Sequence, residues 1–250
     1  MPAFFDAHAH LQDLPRGEVA AVLARAGAAG VGRVVCCATW ESDWEPVLAL
    51  AADHPQVVPM LGIHPWRVAT ARPGWEDRLE ALLLRSRAGL GECGLDFARR
   101  PVDREVQERL FRGHLRLAAR HRRPMAIHCV RAWGALRSLL AEEGLPPAGA
   151  MVHAFGGSAE TARELQDLGL HLSFSTRLRG PGAARMAAAL GAVRDDRLLL
   201  ESDAPGPDGV EPAALPALAE AAARLRNCGT DHLAQLSRCN AERLFGEVLA

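Results

Sequence analysis

Lysine is absent from this chain: all 29 basic residues are arginine. Schiff-base chemistry and a catalytic lysine are therefore excluded. The six cysteines, Cys36, Cys37, Cys93, Cys129, Cys228 and Cys239, form no C-x-x-C pair, so a zinc ribbon or a thioredoxin-like motif has no support. Reduced, mostly buried thiols in a reducing compartment are expected instead. No run reaches the ~18 apolar residues that a membrane span requires. No basic stretch followed by an apolar one opens the sequence, since Asp6 and His8 interrupt it early. The expectation is thus no secretory signal, no membrane partner and a cytoplasmic location. Neither sign of charge dominates, with a net charge of −1. That excludes a globally basic nucleic-acid binder, though not an enzyme that holds phosphates with metals and a few local arginines. Linkers, low-complexity stretches and internal repeats are also missing.

At 250 residues and 49% hydrophobic content, the chain suits one large domain or two small ones. Short apolar runs alternate with longer amphipathic segments. The expected strands are Phe4–His8, Arg33–Cys37, Val57–Leu61, Leu90–Glu92, Met125–His128, Ala150–His153, His171–Phe174 and Leu198–Ser202. Helices are expected near 17–29, 43–53, 75–87, 103–121, 132–142, 158–168, 181–191 and 211–226, with a further one near 230–248. Eight strand–helix units in this length predict an α/β fold, a single-domain (β/α)8 TIM barrel over 1–250 with an extra C-terminal helix. A doubly wound open sheet is the alternative; it usually has fewer strands and would not explain chemistry spread over so many strand ends. Pro146-Pro147 and Gly180-Pro181-Gly182 fall where loops are expected. Gly89-Leu90-Gly91-Glu92-Cys93-Gly94 matches G-x-G-x-x-G, but its strand residue lies inside the motif and the next helix starts only near Pro101 and Asp103, so it is not a dinucleotide loop.

Metal-type residues recur at strand ends. In Asp6-Ala7-His8-Ala9-His10, positions two apart on a strand share a face, so His8 and His10 project together. Glu92, His128, His153 and Asp203 end or follow later strands, and a barrel brings such ends to one mouth. Four histidines and two carboxylates exceed the needs of one tetrahedral ion. They predict two divalent cations sharing a bridging carboxylate, best supplied by the central Glu92. Alone, each residue has a plain reading: a structural strand-end histidine, or a helix cap for Asp203 before Pro205. Glu201 is expected to turn away from the mouth by strand alternation. His64, between Gly62 and Pro65, stands on the same face and is a candidate for orienting substrate or for donating to a phosphate. His54, His114, His121, His171 and His232 fall off the mouth. Arg112, Arg116, Arg120 and Arg123 form one helical stripe, read as a solvated outer face. Trp66 or Phe97 could stack a base, although rim packing accounts for both.

These residues, taken in order, resemble the TatD family of metal-dependent deoxyribonucleases among the amidohydrolase-like barrels. The matching blocks are Asp6-Ala7-His8-Ala9-His10-Leu11, Gly62-Ile63-His64-Pro65, Gly91-Glu92-Cys93-Gly94-Leu95-Asp96, Gln107 with Phe111, Ile127-His128, His153-Ala154-Phe155-Gly156-Gly157, Glu201-Ser202-Asp203-Ala204-Pro205, and Asn240 with Leu244-Phe245. The resemblance implies one cation on His8, His10, Glu92 and Asp203, a second on Glu92, His128 and His153, and phosphate contact by His64. Two departures touch the substrate rim. Cys129-Val130-Arg131 follows the fifth-strand histidine, which shifts the family's arginine by one position, and Gly206-Pro207-Asp208 follows Ala204-Pro205.

The expected activity is two-metal hydrolysis of phosphodiester bonds, most readily at single-stranded DNA ends. Glu92 and Asp203 are the catalytic residues, Asp203 taking the water's proton, while His64 and Arg131 meet the phosphate. Ligand chemistry favours Zn2+, Mn2+ or Fe2+, whereas the resemblance implies Mg2+ or Mn2+. An ester or amide hydrolase acting on a lactone, cyclic amide or D-aminoacyl-tRNA is the enzymatic alternative. A non-catalytic binding module is the other, disfavoured by the complete ligand set. DNA is the expected partner. No obligate protein partner is evident, and a monomer or weak oligomer is expected.

Overall fold

The computed structural model describes residues 3–15, 17–99, 103–179, 183–206 and 209–249. Pro101, the Gly180-Pro181-Gly182 turn and the Pro207-Asp208 departure lie outside the described residues. Eight strands follow one another: β1 Phe4–Ala9, β2 Val31–Cys37, β3 Val57–Leu61, β4 Gly89–Asp96, β5 Met125–Val130, β6 Ala150–Val152, β7 His171–Phe174 and β8 Leu198–Leu200. Between and after them come α1 Val19–Ala28, α2 Trp44–Asp53, α3 Trp75–Arg85, α4 Arg104–His121, α5 Trp133–Glu143, α6 Ala159–Asp167, α7 Ala183–Ala192, α8 Leu215–Arg226, α9 Thr230–Leu244 and α10 Gly246–Leu249. Each strand pairs in parallel with the next, in the order β1 to β8. The expected (β/α)8 barrel is therefore the fold.

Parallel strands covered by helices are buried on both faces and read as continuous apolar runs. β3, β6 and β8 are wholly buried in this way. β4 breaks the pattern by burying Glu92 and Asp96. The charge at Glu92 ends the apolar run in the sequence, but the strand continues to Asp96 because its pairing with β5 persists through Gly94–His128, Leu95–Cys129 and Asp96–Val130. Gly94 is required there. Its φ is +144°, and a Cβ would lie 2.1 Å from the carbonyl oxygen of His128. Gly91 and Gly94 of the G-x-G-x-x-G match thus serve the close approach of β4 and β5, and Gly89 makes room for Met60 of β3, rather than forming a phosphate loop.

The ring closes beyond the end of β8. Asp203 donates its backbone N–H to the His8 carbonyl at 3.0 Å, and His10 donates to that of Ala204 at 2.5 Å. Asp6, fully buried on β1, accepts from the Ser202 amide at 2.8 Å and the Ser202 hydroxyl at 2.6 Å. Burial pushes the Asp6 carboxyl up to about 7, against the hydrogen bonds from Ser202 and His8.

The helices form the outer layer. Asp103 caps α4 by accepting from the Val106 amide at 3.0 Å, and Leu110, Phe111, Leu115 and Ala118 bury its inner face. On the outside, Arg112 and Arg116 pair with Glu142 or Glu143 at the end of α5, and Arg120 with Glu80 of α3. Arg123 donates to the carbonyls of Leu83 and Ser86. The arginine stripe is thus occupied within the barrel wall.

His114, on α4, faces inward rather than outward. Its Nε2 accepts from the Ile63 amide at 3.2 Å, its Nδ1–H donates to the Leu110 carbonyl, and its ring stacks on Trp75 at 4.5 Å. Burial lowers its pKa from 6.5 to about 4, with the Leu110 bond pulling the other way. Above pH 6.5 the residue is neutral in both states and its contribution is intact. As pH falls below 6.5 the unfolded chain takes up the proton first, and stability declines until about pH 4. By pH 5 this amounts to about 2 kcal/mol. Urea denaturation at pH 7.5 and pH 5 is therefore expected to show the gap between wild type and His114→Gln narrowing by about that amount on acidification; an unchanged gap would refute the buried neutral assignment.

Candidate active site

The side chains from separate strand ends converge on Glu92, which is 2% exposed. Its two oxygens face different partners. Oε2 lies 3.2 Å from His8 Nε2 and 3.2 Å from His10 Nε2. Oε1 lies 2.6 Å from His128 Nδ1, 2.8 Å from His153 Nε2 and 3.1 Å from His64 Nε2. The imidazoles also crowd one another: His8 and His10 Nε2 are 3.1 Å apart, and His128 Nδ1 is 3.0 Å from His153 Nε2. One carboxylate has about four lone-pair sites, so five imidazole nitrogens cannot all be satisfied by it. Buried nitrogens facing each other around one carboxylate are the donor set of a cation site, and the residues present fit divalent metal.

The far nitrogen of each ring sorts ligands from donors, because a metal-binding histidine donates its other N–H to an oxygen nearby. His10 Nδ1 donates to the Cys37 carbonyl at 2.8 Å. His153 Nδ1 lies 3.4 Å from Glu201, and His128 Nε2 lies 3.5 Å from Asp96. Each of these rings can turn a lone pair towards Glu92 and its cations. His8 Nδ1 is 3.3 Å from the Cys37 thiol. His64 is arranged the other way: its Nδ1 accepts from the Trp66 amide at 3.1 Å. Burial pushes it down to about 4 although Glu92 opposes this, so the neutral ring carries its hydrogen on Nε2, towards the cavity.

Burial works against ionisation of Glu92, but His153, His64, His10 and His128 hold its pKa well below the carboxylate range. Reciprocally, burial opposes protonation of His10, yet Glu92 and Asp203 raise it to about 9.

Asp203 stands further out. Its Oδ1 is 3.9 Å from His10 Nε2, and its side chain is 35% exposed. Its φ of +58° aims the residue at the mouth just past the closing seam. Despite burial, His153, His8 and His10 hold its carboxyl low. Arg131 follows β5, is exposed and has φ +52°. The cavity, about 460 Å³, is lined by Asp203, Trp66 and Arg67 as well as His10, Glu92, His128 and His153, and Arg67 is the arginine among its described lining residues.

Two supporting carboxylates were not assigned this role from the sequence. Glu201 is fully buried, and its Oε1 accepts from the Ala154 amide at 2.7 Å while its Oε2 accepts from Ser173 Oγ. Strand alternation does not govern it, because β8 ends at Leu200, and the chain turns its carboxylate behind His153. Asp96 accepts from the Trp66 indole at 2.7 Å and from the Ala98 amide at 2.8 Å. The Gln107 carboxamide clamps its backbone, accepting from the Asp96 amide at 2.8 Å and donating to its carbonyl at 3.1 Å. A carboxylate at or just past a strand end, Asp96 closing β4 and Glu201 following β8, was the available signal for both. Glu201→Gln is expected to weaken metal binding about 10–100-fold, measured by calorimetric titration with Mn2+; unchanged affinity would remove Glu201 from the support of His153.

Comparison with known proteins agrees with this geometry. The family profile described as TatD related DNase matches residues 5–246. The chain is 32% identical over 206 residues to the Escherichia coli metal-dependent hydrolase YjjV, covering 81% of this chain and 79% of that protein. It is 33% identical over 244 residues to the Edwardsiella piscicida protein named 3'-5' ssDNA/RNA exonuclease TatD, covering 92% and 94%. The crystal structure of Escherichia coli YjjV superposes with a TM-score of 0.92 at 29% identity, covering 98% of each chain. Barrel, donor set and relatives agree: the chain is a metal-dependent hydrolase of the TatD family.

Proposed function

We propose that this hydrolase cleaves phosphodiester bonds at single-stranded DNA ends and holds two divalent cations to do so. The carrying observation is the division of Glu92, with Oε2 towards His8 and His10 and Oε1 towards His128 and His153. Those residues would hold the pair, with Glu92 shared and Asp203 completing the His8–His10 side. Bound there, Mg2+ or Mn2+ would lower the pKa of a water towards ~7 and offset phosphate charge.

The chain's own groups supply the rest. Asp203, held ionised at the mouth, takes the proton of the attacking water. His64 presents Nε2–H to a non-bridging phosphate oxygen, a role its hydrogen bond from the Trp66 amide favours over metal ligation. Arg67 at the cavity wall, with Arg131 further out, neutralises the phosphate. The nuclease name carried by the Edwardsiella piscicida relative supports polynucleotide as the substrate class.

The test is degradation of end-labelled single-stranded DNA by metal-stripped protein with Mg2+ or Mn2+ restored. Metal-restored cleavage is the expected result. No cleavage under either cation, with turnover of neutral esters instead, would overturn the nuclease reading.

A further inference from the structure

Two tryptophans at the mouth keep much of their ring surface exposed. Trp40 follows β2 and Trp66 follows β3, and they are 37% and 53% exposed. Among the described residues, the other large exposed hydrophobic side chains are the aliphatic Leu84, Leu168 and Leu225. Each tryptophan carries a guanidinium over its ring. Arg67 stands 4.6 Å from the Trp40 centroid, and Arg99 stands 4.2 Å from that of Trp66. Trp66 is also fixed in place: its indole N–H is held by Asp96 at 2.7 Å, and its ring meets His64 at 4.8 Å. Trp66 and Arg67 both line the cavity that contains Glu92, so the two ring–cation pairs adjoin the site from consecutive strands.

An exposed aromatic ring with an arginine over it suits single-stranded nucleic acid. The base stacks on the ring, the backbone meets the cation, and sequence is not read. Bases in a duplex are stacked on one another and must be extruded to reach such a ring. A small ester or amide would use one platform at most.

We propose that Trp66 with Arg99, and Trp40 with Arg67, form two consecutive base-stacking subsites that lead a single-stranded polynucleotide end into the cavity across the β2–β3 side of the mouth. The assignment rests on the nuclease reading above. Trp66, tied to the site through Asp96, takes the base next to the scissile phosphate, and Trp40 takes one further along the strand.

Binding is measured in EDTA, where nothing is cut, by anisotropy of labelled oligothymidylates carrying one abasic residue at successive positions from the 3′ end. In wild type, one abasic position is expected to weaken binding about tenfold. In Trp66→Ala that position is expected to have no effect, and a second position is expected to fall silent in Trp40→Ala. Trp66→Phe, which keeps a ring and loses the bond to Asp96, is expected to retain most of the base dependence. Abasic penalties equal in wild type and in both alanine variants would overturn the subsites, as would the absence of DNA binding at low salt. Cleavage with Mn2+ is scored separately. Base-dependent binding without any cleavage would overturn the nuclease reading and leave the subsites standing.

Discussion

Glu92→Gln is expected to lose metal-dependent turnover by about a thousandfold or more while keeping the barrel. Among the described residues, the side chain supplies the one buried carboxylate that meets both pairs of imidazoles. An amide offers one acceptor oxygen and no charge, so it can engage one half of the donor set and repels a cation from the other with its NH2. Loss of metal-assisted charge stabilisation at the transition state is worth several kcal/mol; about 4 kcal/mol corresponds to three decades in rate. Steady-state hydrolysis with Mn2+ measures the loss, and circular dichroism checks the fold. A variant retaining more than a tenth of wild-type turnover, still dependent on added metal, would remove Glu92 from the bridging position.

Asp6→Ala is expected to be the most damaging substitution for stability, although Asp6 touches no candidate ligand side chain. Truncation strands the Ser202 amide and hydroxyl in a fully buried position. At ~1–3 kcal/mol per unpaired group, with a cavity added, the loss is about 3–5 kcal/mol. For a chain of this size that is a fall of roughly 10–15 °C in Tm. Asp6→Asn is expected to stay within about 1 kcal/mol of wild type near neutral pH. Burial already brings the carboxyl to about 7, and an amide keeps one acceptor for the Ser202 amide while its NH2 can donate to the Ser202 hydroxyl. Thermal melts of both variants test the pair; an Ala variant as stable as Asn would show that the barrel closes without this link.

The barrel and the convergence of its strand ends were legible in the sequence because both follow from local pattern. Apolar runs alternate with amphipathic segments, and β1, β3, β5, β6, β7 and β8 begin at the expected residues. His8, His10, Glu92, His128 and His153 were legible as one cluster because a parallel barrel places every strand end on one face. The less legible parts depend on contacts between distant segments. Whether His64 donates or ligates depends on which of its nitrogens takes the Trp66 amide, a choice no spacing encodes. Glu201 looked misdirected because alternation was extended past Leu200, where the strand has ended. Asp6 has its Ser202 partner 196 positions away, a pairing no local pattern encodes. His114 sits on the helix that carries the arginine stripe, and its inward packing on Trp75 is a contact between helices that no spacing encodes.

The seam joining β1 to the segment after β8 sets the moment at which hydrolytic power appears during synthesis. Of the donor residues His8 and His10 leave the ribosome first, and Asp203 follows nearly two hundred residues later. At ~5–20 residues per second, roughly ten to forty seconds separate them. Until Ser202 reaches Asp6 and Ala204 reaches His10, the nascent chain carries scattered imidazoles without an enclosing ring. A translation product stalled before the eighth strand would therefore be inert, and competence would arrive in one step with the final turn of the barrel.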